Sequence, residues 1–144
     1  MKKAVIILCM SFFVTLNMFA TITSDAIAGS LTVKINNYAN KKVCFAFASE
    51  NAYNPSESLT KGWWCVDART SKTIQPFNYH QNNNYYWSAT IESKPIVKSN
   101  DFSGWVTHQA FTVVNGRKPA GGRRIGFKVL NNNKGTSIIN IGKN

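Results

Sequence analysis

The chain has 144 residues, with 17 lysines and arginines against 6 acidic residues and a formal net charge of +11. This length leaves room for one domain and not for two sizeable cores. The excess of positive charge favours contact with anionic partners and says nothing about the fold.

The first 28 residues predict a helical secretory signal peptide. Lys2 and Lys3 open the segment, an apolar run follows from Ala4 to Val14, and an A-x-A cleavage site ends at Ala28. An uncleaved membrane anchor is the alternative, although polar residues after Val14 interrupt the long apolar helix that an anchor needs. Cleavage would leave residues 29–144 as a single domain in a secreted or otherwise extracytoplasmic protein, in the periplasm or outside the cell.

Two cysteines, Cys44 and Cys65, remain in residues 29–144. In an oxidising compartment the simplest prediction is one disulfide between them, and two free thiols are the alternative. Leaving out Lys2, Lys3 and Asp25 reduces the charged residues to 15 basic and 5 acidic, so the mature domain stays strongly basic.

Short runs of alternating apolar and polar residues predict strands along the mature chain. They are SLTVKINNY, KVCFAFASE, GWWCV, TIQPF, NYYWSATIE, AFTVV, RRIGFKVL and TSIINI. Polar loops are predicted at ENAYNPSES and YHQNNN, a turn at DARTSK, and a hairpin from the last two runs. No helical periodicity occurs outside the signal peptide. The pattern therefore predicts an all-β fold, an antiparallel β-sandwich of about seven strands, with a small barrel as the alternative.

Two aromatic pairs stand out, because adjacent residues of a strand point to opposite faces. If Tyr85 faces the core, Tyr86 faces outward, and the same rule separates Trp63 from Trp64 and puts Cys65 on the face of Trp63. Exposed rings at Trp64 and Tyr86 would suit stacking on sugars or bases, or a protein interface. Their alternative role is to cover the disulfide or a sheet edge.

A basic segment spans residues 115–124 and contains Arg117, Lys118, Arg123 and Arg124. Its glycines begin with the spacing of a phosphate loop, but Gly122 stands where that loop needs lysine, so a nucleotide site is not predicted. Four cations in eight residues suit an anionic partner, namely a lipid head group or a cell-wall polymer, with nucleic acid unlikely. A solvated loop is the alternative.

Catalytic and metal-binding patterns are missing from the sequence. His80 and His108 are the two histidines, the five mature acidic residues are isolated, and no hydrolase or metalloprotease motif occurs. We therefore predict a protein that is not an enzyme, with no catalytic residues, no metal site and no cofactor.

Three spaced elements follow one another in the mature chain: Gly62-Trp63-Trp64, then Tyr85, Tyr86 and Ala89, and finally Gly126, Phe127 and Thr136. In these elements most of the mature chain resembles the DUF1036 family of small bacterial domains of unknown function. The resemblance implies a secreted or membrane-associated bacterial β-domain and brings no catalytic residues. Family members often have cysteines where this chain has Ile35 and the DARTSK turn, so no disulfide pairing is transferred from them.

Charge, signal peptide and fold class together predict a secreted or periplasmic binding or structural module of the bacterial envelope. Its expected partners are an anionic envelope polymer, lipid head groups or another protein. The alternative is a small secreted effector or toxin-like protein that acts on other cells.

Overall fold

The computed structural model describes residues 29–143, so the predicted signal peptide at 1–28 lies outside the described part. Ten strands occur in it: β1 (Thr32–Asn37), β2 (Val43–Asn51), β3 (Asn54–Val66), β4 (Thr70–Ile74), β5 (Asn83–Ile91), β6 (Lys94–Pro95), β7 (Phe102–Val106), β8 (Phe111–Val114), β9 (Arg123–Val129) and β10 (Thr136–Ile141). Residues 29–143 contain no helix, and hence none that could cross a bilayer. The predicted all-β class is confirmed.

The strands form two sheets. The larger one has the order β7-β9-β5-β2-β3-β8, is antiparallel throughout, and carries β6 beside β9 on the outer edge of β5. The smaller one has the order β10-β1-β4, in which β1 is parallel to β10 and antiparallel to β4. The prediction of antiparallel pairing therefore holds except for the pair of the first and last strands.

The predicted hairpin between the last two strands is wrong. β9 pairs with β5 and β7 in the large sheet, whereas β10 pairs with β1 in the small one. Between them, the backbone N–H of Leu130 donates to the carbonyl of Tyr85, and the Leu130 side chain is buried in the core between the sheets. Leu130 therefore lies where the chain passes from the large sheet to the small one.

The large sheet curls until its two ends approach each other. β7, at one end, packs against β3 and β8 at the other end. Gly104 of β7 lies so near β3 that a Cβ atom at this position would be 3.2 Å from Oγ1 of Thr60. The sandwich is therefore formed by a half-barrel and a small three-stranded sheet.

Two cores result, one on each face of the large sheet. The core between the sheets contains Leu31, Val33, Ile35, Val43, Phe45, Phe47, Val66, Ile74, Phe77, Tyr85, Ala89, Leu130 and Ile139. The core inside the curl contains Ala46, Ala48, Tyr86, Val106, Ile125 and Phe127. Tyr86 points away from Tyr85, as alternation requires, but it is only 6% exposed. The prediction that Tyr86 faces solvent is therefore wrong, because curling the sheet buries its second face as well.

The central strand pair is longer than the sequence pattern predicts. β3 begins at Asn54, inside the segment predicted as a polar loop, and its first four residues are exposed. Pro55 is tolerated there because it lies at the start of the strand. β7 has no predicted counterpart, since Gly104 interrupts a short apolar run. The added residues make β3 long enough for a pocket to lie near each of its two ends.

Candidate functional site

The Cys44–Cys65 disulfide lies at one end of the β2–β3 pair. The two residues are direct partners in the register, with Cα atoms 4.0 Å apart, and both side chains are half-buried. The predicted pairing is confirmed. Such a bond is typical of proteins in an oxidising compartment.

Trp63 occupies a β-bulge next to the disulfide. Phe45 pairs with Trp64 and Ala46 pairs with Gly62, so Trp63 has no partner across the ladder. A bulge re-aims the side chain that it contains. The Trp63 indole contacts Phe111 at 5.8 Å between ring centroids and lines the same pocket as the disulfide.

A single hydrogen bond fixes the Trp63 ring. Its Nε1–H donates to the carbonyl of Thr107 at 2.8 Å. Thr107 belongs to the connection between β7 and β8, the two strands at the ends of the curled sheet. The tryptophan therefore holds that connection against the β2–β3 pair.

Around these residues is a pocket of about 590 Å³, called the disulfide pocket below. It is lined by Lys41, Lys42, Cys44, Trp63, Cys65, Thr90, Glu92, Ser93, Thr107, His108, Ala110 and Arg123. It lies at the mouth of the half-barrel, a common place for ligand sites in β-barrels, and its volume is within the usual range of about 300–1,000 Å³.

Three lysine and arginine side chains reach this pocket, and two of them have acidic partners. Nζ of Lys41 lies 2.9 Å from Oε1 of Glu92, and Nζ of Lys42 lies 3.1 Å from Oδ1 of Asp67. All four groups are exposed, so each pair contributes little to stability, about 0–1 kcal/mol. These pairs can open when another anion competes for the lysines.

Among the three lysine and arginine side chains that reach the pocket, Arg123 has no acidic partner within residues 29–143. Its Nη2–H donates to the carbonyl of Ser93 at 3.1 Å, and within residues 29–143 its buried Nε–H has no acceptor and its guanidinium forms no ion pair. A guanidinium carries five N–H donors in a fixed planar fork that matches a carboxylate or a phosphate. The half-buried side chain thus keeps most of its donors free.

Strand alternation puts Arg123 in the pocket and its neighbour outside. In β9, Arg123 lies on the same face as Ile125 and Phe127, and both of these belong to the core inside the curl. Arg124 points outward and lies over Trp105, with Cζ 5.7 Å from the ring centroid. Arg123 therefore lines the disulfide pocket, whereas the adjacent Arg124 lies on the outer surface beside Trp105.

The remaining residues of the basic segment lie apart from the pocket. Nζ of Lys118 is 5.3 Å from the centroid of Trp105, so this ring has both Lys118 and Arg124 beside it. Arg117 is exposed in the connection between β8 and β9. The four predicted basic residues do not form one site, and Arg123 is the member that reaches the disulfide pocket.

The wall that carries the two lysines is held by Asn37, which is 1% exposed. Its Nδ2 donates to the carbonyls of Lys41, Val66 and Asp67 at 2.8–3.1 Å. Its Oδ1 accepts from the backbone N–H of Ala39 at 3.1 Å. One buried amide thus joins the turn after β1 to the end of β3, beside the disulfide.

Neither predicted aromatic candidate lines this pocket. Tyr86 donates its hydroxyl to Oε2 of Glu50 at 2.9 Å, and burial, together with this carboxylate, raises the pKa of Tyr86 to about 12. Trp64 is half-buried on the opposite face, edge-on to Phe47 at 5.7 Å. Any role of Trp64 in a partner surface stays a prediction.

The pocket unites residues that sequence reasoning did not connect. Lys41 and Lys42 come from the connection between β1 and β2, His108 from the connection between β7 and β8, and Arg123 from the start of β9. His80, the other histidine, lines a different groove.

Residues 29–143 contain no group of three His, Cys, Asp or Glu side chains that would hold a metal ion. Chemically, this arrangement suits an anionic group that contacts Arg123 and leaves an apolar part against Trp63 and the disulfide.

Comparison with protein-family models, with curated proteins and with solved structures finds no significant match to this chain.

Proposed function

We propose that this protein is a secreted or periplasmic, non-enzymatic binding module of the bacterial envelope that holds an anionic group in the disulfide pocket. The observation that carries the proposal is Arg123, a half-buried guanidinium that forms no ion pair within residues 29–143. Removing a charge from water without a partner is unfavourable, so a bound carboxylate or phosphate would stabilise this arrangement.

The charges elsewhere support attraction to anionic material. Asp67 and Glu92 form ion pairs, while the other three mature carboxylates accept hydrogen bonds from uncharged donors of the protein. Those three are Glu50, Glu57 and Asp101. Most of the 15 lysines and arginines are therefore not neutralised and would raise the local concentration of an anionic partner.

Secretion is supported by the predicted signal peptide and by the disulfide, which suits an oxidising compartment. That the protein binds without catalysing a reaction stays a prediction from its sequence, and in the disulfide pocket His108 and Glu92 are both lining residues. The resemblance to the DUF1036 family stays a prediction and adds no residue to this proposal.

The decisive experiment compares two adjacent arginines. Residues 29–144 are titrated with phenyl phosphate, which joins an anion to an apolar ring, and with neutral benzyl alcohol, using calorimetry at low ionic strength. We expect saturable binding of the phosphate, at least tenfold weaker binding by Arg123→Gln, and unchanged binding by Arg124→Gln. Equal losses in the two variants would mean attraction by net charge alone, and the pocket proposal would be wrong.

The source of the anion is then tested with vesicles. Sedimentation with phosphatidylglycerol vesicles that is lost in Arg123→Gln indicates a lipid head group, with phosphatidylcholine vesicles as the control. Sedimentation with purified cell walls indicates a wall polymer, and high salt should release the protein in both cases because salt screens exposed charges.

Cell fractionation separates this function from the alternative of an effector. An envelope module stays with the cells that make it and elutes with salt. A toxin-like effector is recovered from the medium and harms cells to which it is added. Recovery in the medium together with such harm would overturn the envelope proposal.

A further inference from the structure

A second groove lies at the other end of the central strands, on the other face of the large sheet. It has a volume of about 660 Å³, and eight of its fifteen lining residues are serine, asparagine or glutamine. Its amide side chains belong to Asn51, Gln75, Asn78, Asn83 and Asn115. We call this site the amide groove.

Position separates the amide groove from the disulfide pocket. Cys44 lies near the start of β2 and Asn51 at its end, a separation of about 23 Å along an extended strand. Ser49 and Asn51 lie on the face of β2 that packs toward the small sheet, whereas Cys44 lies on the face toward the curl. The two sites share no residue, so each can be altered without touching the other.

Hydrogen bonds orient part of the amide groove and leave the rest free. Nδ2 of Asn83 donates to Oγ of the buried Ser49 at 3.0 Å, which fixes this amide. The side-chain amides of Asn78 and Asn115 form no hydrogen bond to other groups within the described part of the chain, and both side chains are exposed. They can therefore bond to a ligand without breaking an internal contact.

The charge of the groove is nearly balanced. Its carboxylate, Glu57, accepts from Nδ2 of Asn54 at 2.9 Å and from Nδ2 of Asn51 at 3.2 Å. Nζ of Lys61 lies over the ring of Phe77, 5.5 Å from its centroid. One oppositely charged pair among many uncharged polar groups does not select for a charged ligand.

We propose that the amide groove binds a neutral oligosaccharide. A side-chain amide has donors and an acceptor side by side, and this matches neighbouring sugar hydroxyls, each of which can donate and accept. The half-buried side chain of Leu59 and the exposed side chain of Val114 provide apolar surface for the C–H face of a sugar ring. An extended peptide would need separate apolar pockets for its side chains, and this lining is dominated by amides and hydroxyls.

The test uses the full mature domain, residues 29–144, with cellopentaose, maltopentaose and chitopentaose as the ligands. Backbone amide shifts in NMR titrations report both affinity and location. We expect saturable binding of at least one oligosaccharide, with shifts in residues 75–83 and around Asn115. Absence of saturable binding by all three would overturn the proposal.

Paired variants locate the contact. Asn78→Ala combined with Asn115→Gly should weaken binding about tenfold, roughly the loss of one or two hydrogen bonds. Glycine is used at position 115 because Asn115 has a positive φ of 51°. The control, Asn40→Ala with Asn100→Ala, removes two exposed amides outside the groove and should leave binding unchanged.

The result of the oligosaccharide test can be distinguished from the result of the phenyl phosphate test on the disulfide pocket. Arg123→Gln should leave oligosaccharide binding intact, and the Asn78/Asn115 variant should leave phenyl phosphate binding intact. Oligosaccharide binding that depends on Arg123 and not on Asn78 and Asn115 would refute the amide groove as the sugar site.

Discussion

Trp63 and Trp64 are consecutive residues whose indole rings lie in two different cores. Trp63 packs against Phe111 and the core inside the curl, whereas Trp64 packs edge-on against Phe47 in the core between the sheets. Alternation along β3 separates the two rings, and the bulge at Trp63 places its ring beside the disulfide. This dipeptide therefore connects the packing of both sheets with the wall of the disulfide pocket.

Substitution of each tryptophan separates these roles. Trp63→Phe keeps a ring but removes the bond to the carbonyl of Thr107, so we expect a loss of about 1 kcal/mol in the free energy of unfolding and weaker phenyl phosphate binding. Trp64→Phe should lower stability without changing binding. Urea denaturation and calorimetry provide the two measurements. Equal phosphate affinity in both variants would contradict a role for Trp63 in the pocket.

Asn37 is expected to be the most sensitive polar residue near the pocket. Asn37→Leu leaves the carbonyls that it bonds without their buried donor, so stability should fall by about 2 kcal/mol. Asn36 provides a matched control, because its side chain points outward to Asn140 and Ser71. Asn36→Ala should change stability by about 0.5 kcal/mol or less. Similar urea midpoints for the two variants would show that the buried amide is dispensable.

The disulfide should contribute measurably to stability. It closes a loop with a sequence separation of 21 residues, for which the chain-entropy relation gives about 3 kcal/mol. Replacing Cys44 and Cys65 together by alanine should lower the urea midpoint accordingly. A reducing agent should destabilise the unaltered protein and have no effect on the double variant. An unchanged midpoint in the double variant would contradict this prediction.

Tyr86 should ionise late in an alkaline titration. Its pKa is raised in the folded protein from 10.0 to about 12, so the neutral phenol contributes stability that is complete below pH 10 and is lost as the pH rises toward 12. Burial raises the pKa of Tyr85 as well. Tyrosinate absorbance should therefore rise in two steps, and Tyr86→Phe should diminish the later one.

The control for this titration is Tyr53→Phe, because Tyr53 is 81% exposed and its replacement should leave the later step unchanged. If Tyr86→Phe leaves the tyrosinate absorbance above pH 10 unchanged, Tyr86 is not buried against Glu50 in the folded protein.

Local patterns along the chain were sufficient for several features. Alternation assigned Tyr85 and Tyr86, and also Trp63 and Trp64, to opposite faces, because successive side chains of any strand point in opposite directions. The pairing of Cys44 with Cys65 followed from the count of cysteines in an oxidising compartment. These inferences need only backbone geometry and elementary chemistry, which do not depend on how the sheets are arranged.

Other features depended on contacts between distant segments. Whether the face of Tyr86 meets solvent is decided by the curl of the sheet. The pairing of β10 with β1 joins strands from the two ends of the described chain, which no local pattern indicates. Residues 50–58 show no alternating pattern that would predict a strand. The exposed residues at the start of β3 are ordered by their pairing with β2.

Composition and alternation, which act locally, were enough to identify an all-β and strongly basic domain with two cysteines in its mature part. Long-range packing places Arg123 in a pocket with Lys41, Lys42 and Trp63, whereas Arg124 lies outside over Trp105. The same packing gathers the amides of Asn78, Asn83 and Asn115 into one groove. The reason is physical: these groups lie far apart along the chain, and strand pairing and sheet curvature bring them together.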